Sequence, residues 1–190
     1  CNITNIEKRK VDYEIIKKEE IKSNKTHKVI IACSLIKEQK MDFLLQKATE
    51  LGVTTIQLLT SDRCEMRLKY DRDQKKLDHW QSVAVAACEQ CGMNIVPKVL
   101  APISIEEWIQ TDLPISRLVM APNKDQKNVL LDAQPELALL IGPEGGLSES
   151  EIGLSNQHGF VNWCIGDRVL RTETAPVVAL SILNYHFSSK

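Results

Sequence analysis

The junction at which Leu137-Ala-Leu-Leu-Ile141 runs into Gly142-Pro-Glu-Gly-Gly146 constrains the fold of this chain more than any other stretch. Five apolar residues in a row leave no polar face for solvent, so the segment belongs in the middle of a parallel sheet covered on both sides. Glycines at 142, 145 and 146 let the main chain approach a ligand closely or take a positive φ, and Pro143 stiffens the turn. Ser148-Glu-Ser-Glu151 then forms a capping box that opens a helix. Strand, glycine-rich turn and helix N-terminus in that order place backbone N–H groups at the carboxyl edge of a parallel sheet, where such folds bind ligands. The turn is not a Walker loop, since no Gly-Lys-Ser/Thr follows, and its spacing is not G-x-G-x-x-G, so a phosphate cradle is disfavoured. On its own it would serve as a structural turn as readily as a binding loop.

Its neighbours shift that balance. Phe160-Val-Asn-Trp-Cys-Ile165 predicts another short strand, and Gly166-Asp-Arg-Val-Leu-Arg-Thr-Glu-Thr174 leads from it into a helix running from Ala175 through Tyr185. Thr174 suits the N-cap, and Pro176 falls in the first turn, where its missing N–H does no harm. A helix apolar almost all round must be buried on several sides, by its own sheet and by a partner subunit. Arg168, Arg171 and Glu173 form a dense charge group between two apolar elements. Solvent exposure alone does not account for such a group; it reads as a structural ion pair or, preferably, as functional residues.

The rest of the chain supplies a frame for these two segments. Residues 1–22 alternate as short strands do, with Ile3, Ile6, Val11, Tyr13, Ile15 and Ile16 among charges, and Ser23–Thr26 reads as a linker. From Lys28 onward strand-then-helix units predict a parallel sheet covered by helices. The predicted strands are Val29–Cys33, Val53–Leu59, Ile95–Leu100, Leu118–Ala121 and Leu137–Ile141. One predicted helix carries Met41, Leu44, Leu45, Ala48 and Leu51 on one face and stops at Gly52; a longer one spans about Asp71 to Cys91, and a short one lies around Ile105–Ile109. Between them Ser61–Tyr70 is polar, with Arg63, Arg67 and Lys69, which suits either a solvated loop or an RNA contact.

Composition narrows the function classes. With 43% hydrophobic and 26% charged residues over 190 positions, the chain matches ordinary globular proteins, and a single main domain is expected. No apolar run approaches the roughly 18–20 residues of a bilayer span, so the reading is cytoplasmic, without a membrane partner. A first residue of Cys1 rather than Met suggests a piece of a longer polypeptide. The net charge of −1 argues against coating nucleic acid over the whole surface, although residues 1–28 hold eight Lys or Arg against five acids. Among six cysteines only Cys88 and Cys91 form a C-x-x-C pair, and no second pair completes a zinc site. With Leu77, Trp80, Ala84 and Ala87 stepping by threes and fours, both are read as core cysteines, and no metal is expected.

Both C-terminal segments, together with Gln46-Lys-Ala-Thr-Glu-Leu-Gly-Val53 and Ala86-Ala-Cys-Glu-Gln-Cys-Gly92, resemble the RsmE family of 16S ribosomal RNA (uracil-N3) methyltransferases, of the SPOUT class, over roughly residues 28–187. The resemblance implies an α/β SPOUT methyltransferase fold with a parallel sheet and a C-terminal deep trefoil knot, over residues 25–190. Residues 1–24 would then be the C-terminal remnant of a small PUA-like RNA-binding β-barrel. It also implies S-adenosyl-L-methionine (SAM) as cofactor, a homodimer, and 16S rRNA in the small ribosomal subunit as substrate. By the same resemblance Leu140, Ile141, Gly142, Pro143, Glu144, Gly145 and Gly146 would form one wall of the SAM pocket. Ile165, Gly166, Val169, Leu170, Arg171, Thr174 and Ala175 would form the other, with main-chain groups around Ile165–Leu170 holding the adenine. Arg171 and Glu173 would be catalytic, the first steadying a uridine anion and the second accepting its N3 proton. The chain departs from the family where Met93 follows Glu-Gln-Cys-Gly, a position that usually carries arginine. Three alternatives stay open: a SPOUT enzyme acting on another base or a ribose 2′-OH, a non-catalytic ribosome-assembly factor of the same fold, and a nucleotide-binding regulatory domain.

Overall fold

The computed structural model describes residues 1–19, 27–66, 73–121 and 134–188. Strands β1 (Asn2–Glu7) and β2 (Lys10–Glu14) pair as an antiparallel hairpin, with Ile3 opposite Tyr13 and Ile6 opposite Val11. The predicted alternation is present, and these apolar side chains are exposed.

The remaining elements are β3 (Lys28–Ser34), α1 (Glu38–Glu50), β4 (Thr55–Thr60), α2 (Asp73–Cys91), β5 (Lys98–Ser104), α3 (Ile105–Ile109), β6 (Ser116–Val119), β7 (Glu136–Ile141), α4 (Glu149–Gln157), β8 (Val161–Asn162) and α5 (Ala175–Ser188). Strands β3 to β8 form one parallel sheet in the order β5-β4-β3-β7-β6-β8. The continuous apolar run therefore occupies the third place from one edge and the fourth from the other. Along β7 the side chains alternate between two cores. Leu137, Leu139 and Ile141 pack in the larger cluster with residues of α1, α2 and α5. Ala138 and Leu140 pack in the smaller one with Ile105, Trp108 and Phe160. Each fully buried leucine contributes about 1.5–3 kcal/mol relative to exposure, which explains why no polar residue interrupts the run.

The order of the strands creates a switch point. The connection leaving β3 enters α1 on one face of the sheet, whereas that leaving β7 enters α4 by way of the glycine turn, next to the other core. Neighbouring parallel strands whose helices depart to opposite faces leave a crevice between their carboxyl ends. The register places Cys33 beside Ile141, so the two connections diverge just after Ser34 and Gly142.

Several predicted boundaries move. Strand β5 begins at Lys98 rather than Ile95, because Pro97 has no N–H for the ladder; Ile95 and Val96 remain exposed. Strand β6 spans 116–119, not 118–121, although the Met120 N–H still donates to Leu140 O. The six-residue strand predicted at 160–165 shrinks to Val161–Asn162, since it can pair only with the end of the four-residue β6. Cys88 is buried as predicted, but Cys91 is exposed, because the last turn of α2 carries it away from the packed face. The Ser23–Thr26 linker, Arg67 and Lys69 lie outside the described residues.

Candidate functional site

Local chemistry fixes the shape of the glycine turn. A Cβ on Gly142 would lie 2.8 Å from Leu147 Cγ and 2.9 Å from Leu147 N, so any side chain there would block the chain from folding back. Gly146 adopts φ +71°, and its N–H donates to Pro143 O at 2.9 Å. The capping box then starts α4: Ser148 Oγ accepts from Glu151 N–H, and Glu151 Oε2 accepts from Ser148 N–H.

The loop after β4 is fastened to the same turn. Asp62 N–H donates to Glu151 Oε1 at 2.8 Å, and Ser148 Oγ donates to Asp62 Oδ2 at 2.7 Å. Glu151 is thus nearly fully buried with both carboxylate oxygens engaged. Arg63 Nη1 donates to Gly145 O at 3.1 Å, and a Cβ on Gly145 would come within 3.2 Å of Arg63 Cβ. A cleft of about 530 Å³ opens beside this loop, lined by residues that include Ser61, Asp62, Met66, Ser104 and Glu151.

The second segment follows β8. Trp163 N–H still donates to Val119 O, Gly166 turns the chain at φ +72°, and Ile165 and Leu170 pack half-buried against the larger core. Arg171 O accepts from both Thr174 N–H and Ala175 N–H at 2.9 Å, and Thr174 O accepts from Val178 N–H. The entry to α5 is therefore already a tight turn at Arg171, one turn before the predicted N-cap.

The structure places the sequence-selected residues unevenly. Gly142–Gly146 and the entry of α5 are brought together, as shown by the side chains of Glu144 and Glu173, which share Lys40 Nζ at 3.4 and 3.7 Å. Leu140 and Ile141 point their side chains into the two cores, leaving only main-chain groups to meet a ligand. The expected charge group between apolar elements is corrected: Arg168 and Arg171 are exposed, as is Val169, and only Glu173 is largely buried. Long side chains in the loop reach solvent because neither β8 nor α5 covers them. Ala175 is buried, and Thr174 is half-buried. Lys40 and Asp62 are not singled out by the sequence, and Arg63 only as part of a loop that suits an RNA contact. Lys40 in particular sits on an amphipathic helix where a lysine ordinarily marks a solvated face, and its partners are remote in sequence, Glu144 by 104 residues.

A doubly covered parallel sheet with a glycine turn at its switch point is shared by many ligand-binding folds; here the family model described as an RNA methyltransferase domain matches residues 22–184. More narrowly, the chain belongs to the ribosomal RNA small subunit methyltransferase E family. It is 36% identical over 179 residues to the enzyme of that name from Buchnera aphidicola subsp. Schizaphis graminum, covering 91% of this chain and 72% of the relative. To the Bacillus subtilis enzyme it is 31% identical over 195 residues, covering 97% and 76%. The crystal structure of the Neisseria gonorrhoeae enzyme bound to S-adenosyl methionine superposes with a TM-score of 0.78 at 35% identity. That match covers 84% of this chain and 66% of the neisserial chain.

Proposed function

We propose that this chain is the catalytic part of a SAM-dependent methyltransferase that methylates N3 of a specific uridine in 16S rRNA of the small ribosomal subunit, in the cytoplasm. The observation that carries the reading is that Glu144, in the turn Gly142–Gly146, and Glu173, in the 165–175 segment, share Lys40 Nζ beside the switch point, in a chain 35% identical to an enzyme solved with SAM. In this reading residues 25–190 form the methyltransferase domain, and residues 1–24 are the end of a PUA-like RNA-binding barrel. A C-terminal trefoil knot and a homodimer belong to the same proposal. Support for the dimer comes from α5, whose buried face packs on the larger core while Tyr185 remains 78% exposed.

SAM supplies an electrophilic methyl group on a sulfonium. The protein's task is chiefly to hold donor and acceptor in line, because in-line displacement rewards orientation. Gly142, Pro143, Glu144, Gly145 and Gly146 would bound one side of the donor, and Ile165, Gly166, Val169, Leu170, Thr174 and Ala175 the other. The backbone between Ile165 and Leu170 would hold the adenine. Uridine N3 carries a proton at neutral pH and must lose it as the new bond forms. Arg171, which is exposed, would meet a base arriving from solvent and stabilise the developing anion, while Glu173 would accept the proton. The balance is one methyl moved from sulfur to nitrogen and one proton released, leaving S-adenosylhomocysteine.

Calorimetric titration of the chain with SAM tests the binding half of this reading. Saturable one-site binding is expected; no binding by folded protein would instead favour a non-catalytic assembly factor of the same fold.

A further inference from the structure

Lys40 lies in the first turn of α1, beside the switch point between β3 and β7. Its Nζ stands 3.4 Å from Glu144 Oε1, in the glycine turn, and 3.7 Å from Glu173 Oε2, at the entry to α5. Among the described residues no other cation lies within ion-pair distance of either carboxylate. The two acids belong to the two segments that would face each other across the methyl donor, and these segments come from opposite faces of the sheet.

The two halves of the bridge differ in character. Lys40 and Glu144 are each 35% exposed, so their attraction is partly screened and contributes little by itself to stability. Glu173 is only 13% exposed, and its Oε2 is buried without any hydrogen-bond donor. A separation of 3.7 Å is ion-pair range, too long for a hydrogen bond. A buried carboxylate oxygen with an unspent acceptor is costly to maintain, and the ammonium of Lys40 is what offsets it. Two carboxylates around one ammonium also leave the trio with one formal negative charge, the sign that suits a sulfonium.

We propose that Lys40 is a positioning residue that ties the glycine turn to the entry of α5. By setting the width of the pocket in advance it acts on affinity for the methyl donor through Glu144 and Glu173. The inference rests on the assignment of these two segments to SAM. Preorganised walls raise affinity because the ordering cost has been met before the ligand arrives.

Three proteins test it: the unaltered chain, Lys40→Met and Lys40→Arg. In ligand-free protein, hydrogen–deuterium exchange of the Lys40→Met variant should speed up in residues 142–147 and in residues 171–176 together, while Leu44–Ala48 in α1 stays protected. The dissociation constant for SAM should rise about tenfold, and Lys40→Arg should recover most of the loss. Combining Lys40→Met with Glu144→Gln should weaken SAM binding no further than Lys40→Met alone, since both remove one bridge. If Lys40→Met does not fold, Glu144→Gln, which cuts the bridge from its exposed end, should give the same pair of exchange changes. Exchange unchanged in both segments overturns the inference, as does a fall in kcat at unaltered SAM affinity, which would make Lys40 catalytic. An unaltered chain that binds no SAM sinks the methyl-donor assignment separately, and the exchange comparison still decides whether Lys40 ties the segments.

Discussion

Among single residues, Arg171 and Cys33 make opposite predictions about reactivity. Arg171 is exposed, and its backbone carbonyl already anchors the first turn of α5. Replacing it by Ala leaves that backbone role intact and removes only the guanidinium. Turnover should fall about a hundredfold while SAM affinity measured by calorimetry holds; an equal loss of both would make Arg171 a cofactor ligand instead. Cys33 is fully buried in β3, and burial pushes its thiol up to about 12 from an ordinary 9.0. In native protein an alkylating agent should label exposed Cys91 and leave Cys33 untouched until denaturant is added. Comparable labelling rates by peptide mass analysis would contradict the packing of the central strands. The sign of the linked pH effect follows: the folded state keeps this proton longer than the unfolded one. Its contribution is therefore full below about pH 9 and declines as pH rises toward 12.

At the level of elements, the unit β7–turn–α4 was legible in the sequence because every part of it is dictated locally. An apolar run, a glycine whose Cβ would strike Leu147, and a serine three residues before a glutamate each specify their own conformation. Ser148→Ala should destabilise the protein by about 1–2 kcal/mol, since it removes the N-cap and also the bond to Asp62. A urea midpoint identical to that of the unaltered chain would show that the box is ornamental. Strand β8 was overestimated because its length is set by its partner β6, which local periodicity does not reveal. The same holds for the charge group at 168–173. Whether an arginine between apolar stretches is buried depends on what covers the loop, and here Arg168 and Arg171 emerge while Glu173 turns inward to Lys40. Cys91 failed as a core residue for a related reason: helical spacing marks a face but does not say where the packed partner ends.

Over the whole molecule, the strand order β5-β4-β3-β7-β6-β8 turns three separate connections into one site. The loop after β4, the turn after β7 and the entry to α5 are distant in sequence, and only the parallel sheet sets them along one edge. Periodicity predicts such a sheet but not its strand order, so the latch of Asp62 and Arg63 onto the glycine turn could not be anticipated. Nor does sheet geometry say which base is modified; uridine N3 is part of the proposal and comes from the sequence resemblance. The direct test is to incubate the chain with isolated small ribosomal subunits and methyl-labelled SAM, digest the rRNA and identify the labelled nucleoside. The account predicts label confined to 3-methyluridine at one site of 16S rRNA. Label in a ribose 2′-O-methyl nucleoside or in another base would contradict it.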